Sequence, residues 1–187
     1  MSIFDKLKSN APSQPAPVHK TPDKSSAVFA FAALPENLAQ MQALPEAELK
    51  DPFQTAALTV CALCVYAADK NIGTEMLNWL RGPRPLSGFD ISFLNDRFRD
   101  GHHVPFSYFA GAVPGNDYTP TQPFTLMIEA GPYADANPGY KKLHIRSGGA
   151  DNPREIVLRQ KGDGTWLLWD QFLLVSIRQP KSVDPWA

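Results

Sequence analysis

Along this chain the spacing of apolar residues changes once, from the three-to-four-residue period of helices to the two-residue period of strands. Leu38, Met41 and Leu44 follow Pro35 at helical intervals. Proline has a preset φ and no N–H to lose in a first turn, so a short helix is predicted from Leu34, ending before Pro45. Asp51-Pro52 is a stronger start, an N-cap side chain followed by proline, and opens a helix from Pro52 to about Ala68. This helix is apolar on nearly every side, so it belongs at the centre of the fold. Asn71-Ile72-Gly73 predicts a turn. Met76, Leu77 and Leu80 then mark a short helix ended by Gly82-Pro83, and Ile91, Leu94 and Phe98 give a buried side to another from about Phe89 to Arg99.

Beyond Gly101 the period becomes two. Phe124, Leu126 and Ile128 alternate with Thr125, Met127 and Glu129; Leu143 and Ile145 alternate with His144 and Arg146; Ile156 and Leu158 alternate with Glu155 and Arg159. Gly162-Asp163-Gly164 turns into a tryptophan-rich strand at Thr165–Asp170, and Phe172–Ile177 reads as a last strand. Helices followed by strands with short turns predict an α+β fold, N-terminal helices packed on one face of a C-terminal antiparallel sheet. Trp166 and Trp169, three apart, should point to opposite faces of that sheet.

Residues 1–26 have no such period and are rich in proline, so the expected organisation is a tail over 1–26 and one domain over 27–187. Within the tail, Ile3, Phe4 and Leu7 share a helical face, which makes Met1–Lys8 a candidate docking segment for a protein partner; the plainer reading is the start of a disordered tail. The chain has 187 residues, 43% hydrophobic and 20% charged, enough to bury one core. Its 18 prolines, against about 5% of an average chain, predict much turn and loop. A net charge of -1 and a pI near 6.4 disfavour nucleic acid as a partner. The longest apolar run, Ala56 to Ala68, is too short to span a bilayer, and charges at Asp5, Lys6 and Lys8 break any signal-like stretch. With two cysteines only, a reducing cytoplasm is the expected compartment.

Cys61 and Cys64 have redox spacing but lie mid-helix among Val60, Leu63 and Val65, where they read as small buried hydrophobes; no metal site is expected of them. His102 and His103, after Asp100-Gly101, are the alternative acid/base candidates, and the plainer reading gives them backbone or solvent partners. No nucleophile elbow, phosphate loop, zinc-protease helix or dinucleotide fingerprint is present, and no cofactor is expected.

Two loops offer binding chemistry. Gly111–Pro120 combines turn formers with Asn116 and Tyr118, and Ser147–Arg154 sets Asp151 and Arg154 around two glycines that would permit an unusual backbone path. With Trp169 on the tryptophan strand, these four residues are the candidate ligand contacts; the plainer reading is a rigid hairpin in which Asp151 bonds its own turn. GAVPGNDYTP, SGGADNPREIVLRQ, GTWLLWDQFLL and the ending IRQPKSVDPW together resemble an uncharacterised bacterial domain family, a domain of unknown function, over roughly Asp51 to Trp186. The resemblance implies a bacterial origin and a single domain, and carries no activity. The leading expectation is a non-catalytic binding or adaptor module with an unknown ligand. The alternative is a small hydrolase-type enzyme using His102 or His103 with Asp100, Asp151 or Arg154.

Overall fold

The computed structural model describes residues 25–186. Its helices are α1 (Leu38–Gln42), α2 (Pro52–Ala68), α3 (Lys70–Arg81) and α4 (Gly88–Arg97). Its strands are β1 (Ser26–Phe31), β2 (Phe124–Ala130), β3 (Tyr140–Ile145), β4 (Arg154–Gln160) and β5 (Trp166–Gln171), in the spatial order β1-β2-β3-β4-β5, every neighbouring pair antiparallel. The fold is α+β, as the change of period predicts.

Local chemistry sets each helix boundary. The Asp51 carboxylate accepts from Phe53 N–H, and Gln54 reaches back to Asp51 N–H, which closes a capping box at the start of α2. Asp69 ends α2 and at once caps α3, accepting from Asn71 and Ile72 N–H. The turn expected at Asn71-Ile72-Gly73 is therefore the first turn of α3. Gly73 serves packing there: a Cβ on it would sit 2.3 Å from Tyr66 Cα, so only glycine lets α3 fold back this closely on α2.

α2 touches all five strands, and Ala56 to Leu63 are buried without a break, which is why this helix shows no polar face. It meets Leu126, Ile128, Leu143, Ile145, Ile156, Leu158 and Leu168, the alternate residues of four strands that face the helices. Cys61 and Cys64 lie in this core as free thiols, and burial pushes both thiol pKa values up.

β1 differs from expectation. Ala27 and Phe31 enter the core from a strand that precedes all the helices, paired Ala27 to Ile128 and Phe31 to Phe124. At the other end, Phe172–Ile177 is not a strand. β5 stops at Gln171 because the residues after Phe172 leave the ladder for partners in three separate parts of the chain, described below. Met1–Lys8 lies outside the described residues. No helix among the described residues is long and apolar enough to cross a membrane.

Candidate functional site

Three of the five candidate contact residues, Tyr118, Asp151 and Arg154, meet at the C-terminal segment 172–183, and Asn116 shapes the loop that carries Tyr118 there. The Asn116 side chain staples its own loop: its Oδ1 accepts from Val113 N–H (3.0 Å) and its Nδ2 donates to Gly111 O (2.8 Å) and Thr119 O (3.1 Å). This closes a turn in which Asp117 and Tyr118 take positive φ values of 52° and 56°. The Tyr118 ring is thereby driven inward, 2% exposed, and its hydroxyl donates to Arg178 O (2.7 Å). Arg178 N–H donates to Gly149 O (3.0 Å), and its guanidinium pairs with the Asp151 carboxylate. Arg154 donates from Nε to Val175 O (2.9 Å) and from Nη2 to Ser176 O (2.7 Å), while Nη1 holds Asn152 O. Deeper in, the Tyr108 hydroxyl donates to Leu173 O.

Beyond Phe172, whose N–H still donates to Glu155 O on β4 (2.9 Å), these bonds satisfy the backbone of an irregular segment outside the ladder. The glycines of the Ser147–Arg154 loop serve this contact by leaving room: a Cβ on Gly149 would lie 2.1 Å from the Tyr118 hydroxyl, and one on Gly148 would lie 2.0 Å from Ala112 O.

The histidines separate. His102 faces solvent with Nδ1 at 2.8 Å from Ala67 O. His103 stacks on Tyr118 with ring centroids 5.0 Å apart, and its Nε2 is buried without a hydrogen-bond partner. Burial holds the His103 pKa below its ordinary value; the charge of His102 lowers it further, against a backbone hydrogen bond at Arg178. A recess of about 170 Å³ beside it is also lined by Asp96, Asp100 and Ser176. Among the described residues no hydrogen bond or ion pair joins either histidine to Asp100, Asp151 or Arg154.

Trp169 stands apart from the other four, near the opposite end of β4. It occupies the register shift between β4 and β5, edge-on to Tyr140 (5.4 Å), with the Arg84 and Arg159 guanidinium carbons 4.2 and 4.7 Å from its ring centroid. Trp166 packs on the core instead, so the two indoles do part to opposite faces.

A second feature was not foreseen. α3, α4 and the residues that follow Leu168 enclose a cleft of about 320 Å³, lined mainly by Leu63, Leu77, Phe89, Phe93, Leu168 and Phe172. Phe89 and Phe172 are 82% and 48% exposed at its rim, and Val175, held by Arg154, forms part of its wall. Arg81 also lines it, only 5% exposed. The sequence signal was Arg81 itself, one helical turn after Leu77 and so on the apolar face of α3. Its Nε donates to Arg84 O (3.0 Å), its Nη2 has no hydrogen-bond partner, and the nearest carboxylate oxygen, Asp90 Oδ2, is 3.6 Å away. That oxygen already accepts from Ser87 N–H (2.8 Å) and Ser87 Oγ–H (2.7 Å), the capping box that starts α4. Burial would raise the Asp90 pKa, but these bonds and the Arg81 and Arg84 charges hold it below the usual carboxylate value.

No curated protein and no solved structure matches the chain. A family model described as "Domain of unknown function (DUF6935)" matches residues 33–181, a span that runs from just after β1, through all four helices and β2 to β5, into the pinned C-terminal segment. With more than half of its length matched, the chain belongs to the DUF6935 family, a domain of unknown function.

Proposed function

We propose that this domain is a non-catalytic binding module whose ligand site is the cleft between α3, α4 and the C-terminal segment. The observation that carries this reading is an apolar cavity of ligand size, about 320 Å³, whose rim holds two exposed phenylalanines. Ligand pockets are mostly apolar with a few polar groups that fix orientation, and this cleft has that make-up. The hydrogen-bonding groups of Asn116, Tyr118 and Arg154 are taken up by the chain itself, so their role in this reading is to hold the wall to which Phe172 and Val175 belong. The hydrolase reading draws less support, because an acid/base histidine needs a carboxylate or substrate group within hydrogen-bond reach, and His102 and His103 have separate surroundings.

The uncharged apolar fluorophore N-phenyl-1-naphthylamine tests the site. The protein should enhance its emission saturably, and Val175→Trp, which fills the cleft from its wall, should abolish the enhancement while the melting transition is kept. No saturable enhancement with the unaltered protein sinks the proposal.

A further inference from the structure

We infer that the cleft selects ligands that carry a carboxylate on an apolar body, with Arg81 as the residue that receives the carboxylate. The inference rests on the cleft being a binding site. It is driven by an imbalance of donors and acceptors at the Arg81 end. Arg81 presents a guanidinium that is buried from water, yet Nη2 has no acceptor. A buried donor without a partner forfeits its hydration and gains nothing in exchange. Asp90 balances the charge, but its Oδ2 is committed to Ser87 and stands 3.6 Å off, beyond a hydrogen bond. The missing group is therefore an acceptor. Asp170, the other carboxylate lining the cleft, accepts from Gln171 N–H at Oδ1 and is exposed to water, so it has no comparable need.

The charge balance permits an anion. The charges of Asp90 and Asp170 are offset by Arg81 and by Arg84, which sits outside the lining on Trp169, two carboxylates against two guanidiniums, so an entering carboxylate meets no net negative field. A planar guanidinium suits a carboxylate better than a single-point acceptor, since its parallel N–H groups match the two oxygens. Apart from Gln171, the remainder of the lining is leucine, phenylalanine and Val175, which calls for an alkyl or aryl body.

Competition against N-phenyl-1-naphthylamine with three probes of one chain length, octanoate, octanol and octylammonium, tests the assignment. Octanoate should displace the fluorophore at a concentration about tenfold or more below octanol, the scale of one charge-assisted hydrogen bond, with octylammonium weakest. Arg81→Met should erase the preference for octanoate over octanol and leave octanol binding in place. If that variant fails to fold, [1-13C]octanoate bound to the unaltered protein gives the same answer: its carboxyl should titrate at least about one pH unit lower than in free solution, as expected beside a guanidinium. Equal displacement by octanoate and octanol, a preference for octylammonium, or an unshifted carboxyl titration each overturns the carboxylate assignment while the cleft still binds. Failure of the fluorophore itself to bind overturns both readings together.

Discussion

Arg154 shows how much one side chain can organise. Its five N–H donors reach three backbone carbonyls, at Asn152, Val175 and Ser176, and two of these belong to a segment that has no strand to pair with. Hydrogen bonds from a charged donor contribute more than neutral ones, so Arg154→Ala should lower unfolding free energy by about 2–3 kcal/mol in urea titrations. Arg154→Lys should recover only part of it, because an ammonium lacks the forked geometry. A loss below about 0.5 kcal/mol in the alanine variant would mean that the segment is held elsewhere. His103 carries a pH dependence. Its folded pKa is depressed by burial below the ordinary 6.5, so the unfolded chain binds the proton more readily. Its contribution to stability is complete above pH 6.5 and is lost as pH falls through the folded value. Unfolding measured between about pH 7.5 and 5 should therefore show stability declining on acidification, with a shallower decline in His103→Phe, which keeps the stacking on Tyr118.

Among the elements, the α2–α3 hairpin sets two glycine effects against each other. Replacing glycine by alanine inside a helix ordinarily gains up to about 1 kcal/mol. At Gly73 the added methyl would meet the Tyr66 backbone at 2.3 Å, which no side-chain rotation relieves. Overpacking of this kind costs about 1–3 kcal/mol or more, so the clash wins, and Gly73→Ala should be destabilising by about 2 kcal/mol. Gly88, the first residue of α4, has nothing within 4 Å of its would-be Cβ, and Gly88→Ala should be neutral or slightly stabilising. Thermal melting of the two variants side by side checks the pair; a stabilised Gly73→Ala would show that α3 can move off α2 at little cost.

For the whole molecule, β1 closes the edge of the sheet beside β2 and supplies Ala27 and Phe31 to the core. A chain beginning at Ser25 should melt at the temperature of the full chain. One beginning at Ala32 should lose several kcal/mol or its cooperative transition, since removal of a core phenylalanine side chain alone costs about 3–5 kcal/mol. Equal melting of both chains would show β1 to be peripheral.

The order of the four helices and of β2 to β5, the central place of α2 and the burial of Cys61 and Cys64 were legible in the sequence, because each follows from local periodicity and from how many sides of an element are apolar. β1 was not, since Ala27–Phe31 is an unbroken run of five apolar residues with no two-residue period, ambiguous until Phe124–Ala130 arrives to pair with it, nearly a hundred residues on. Nor was the course of 172–183. Leu173, Leu174, Val175 and Ile177 look like a strand, but Tyr108, Tyr118 and Arg154 satisfy its carbonyls from three separate places, and that competition exists only once the loops have met. Asn116, Tyr118, Asp151 and Arg154 stood out as polar and aromatic groups in glycine-rich loops; which partner they meet is a matter of chain crossing, and while Asn116 bonds its own loop, the other three meet the chain's own C-terminal segment. Arg81 carries the same lesson. The sequence by itself placed a cation on an apolar helix face, while only the tertiary structure, which sets α3 on β5 and brings the start of α4 near, decided that its guanidinium would be buried beside a carboxylate already committed to Ser87.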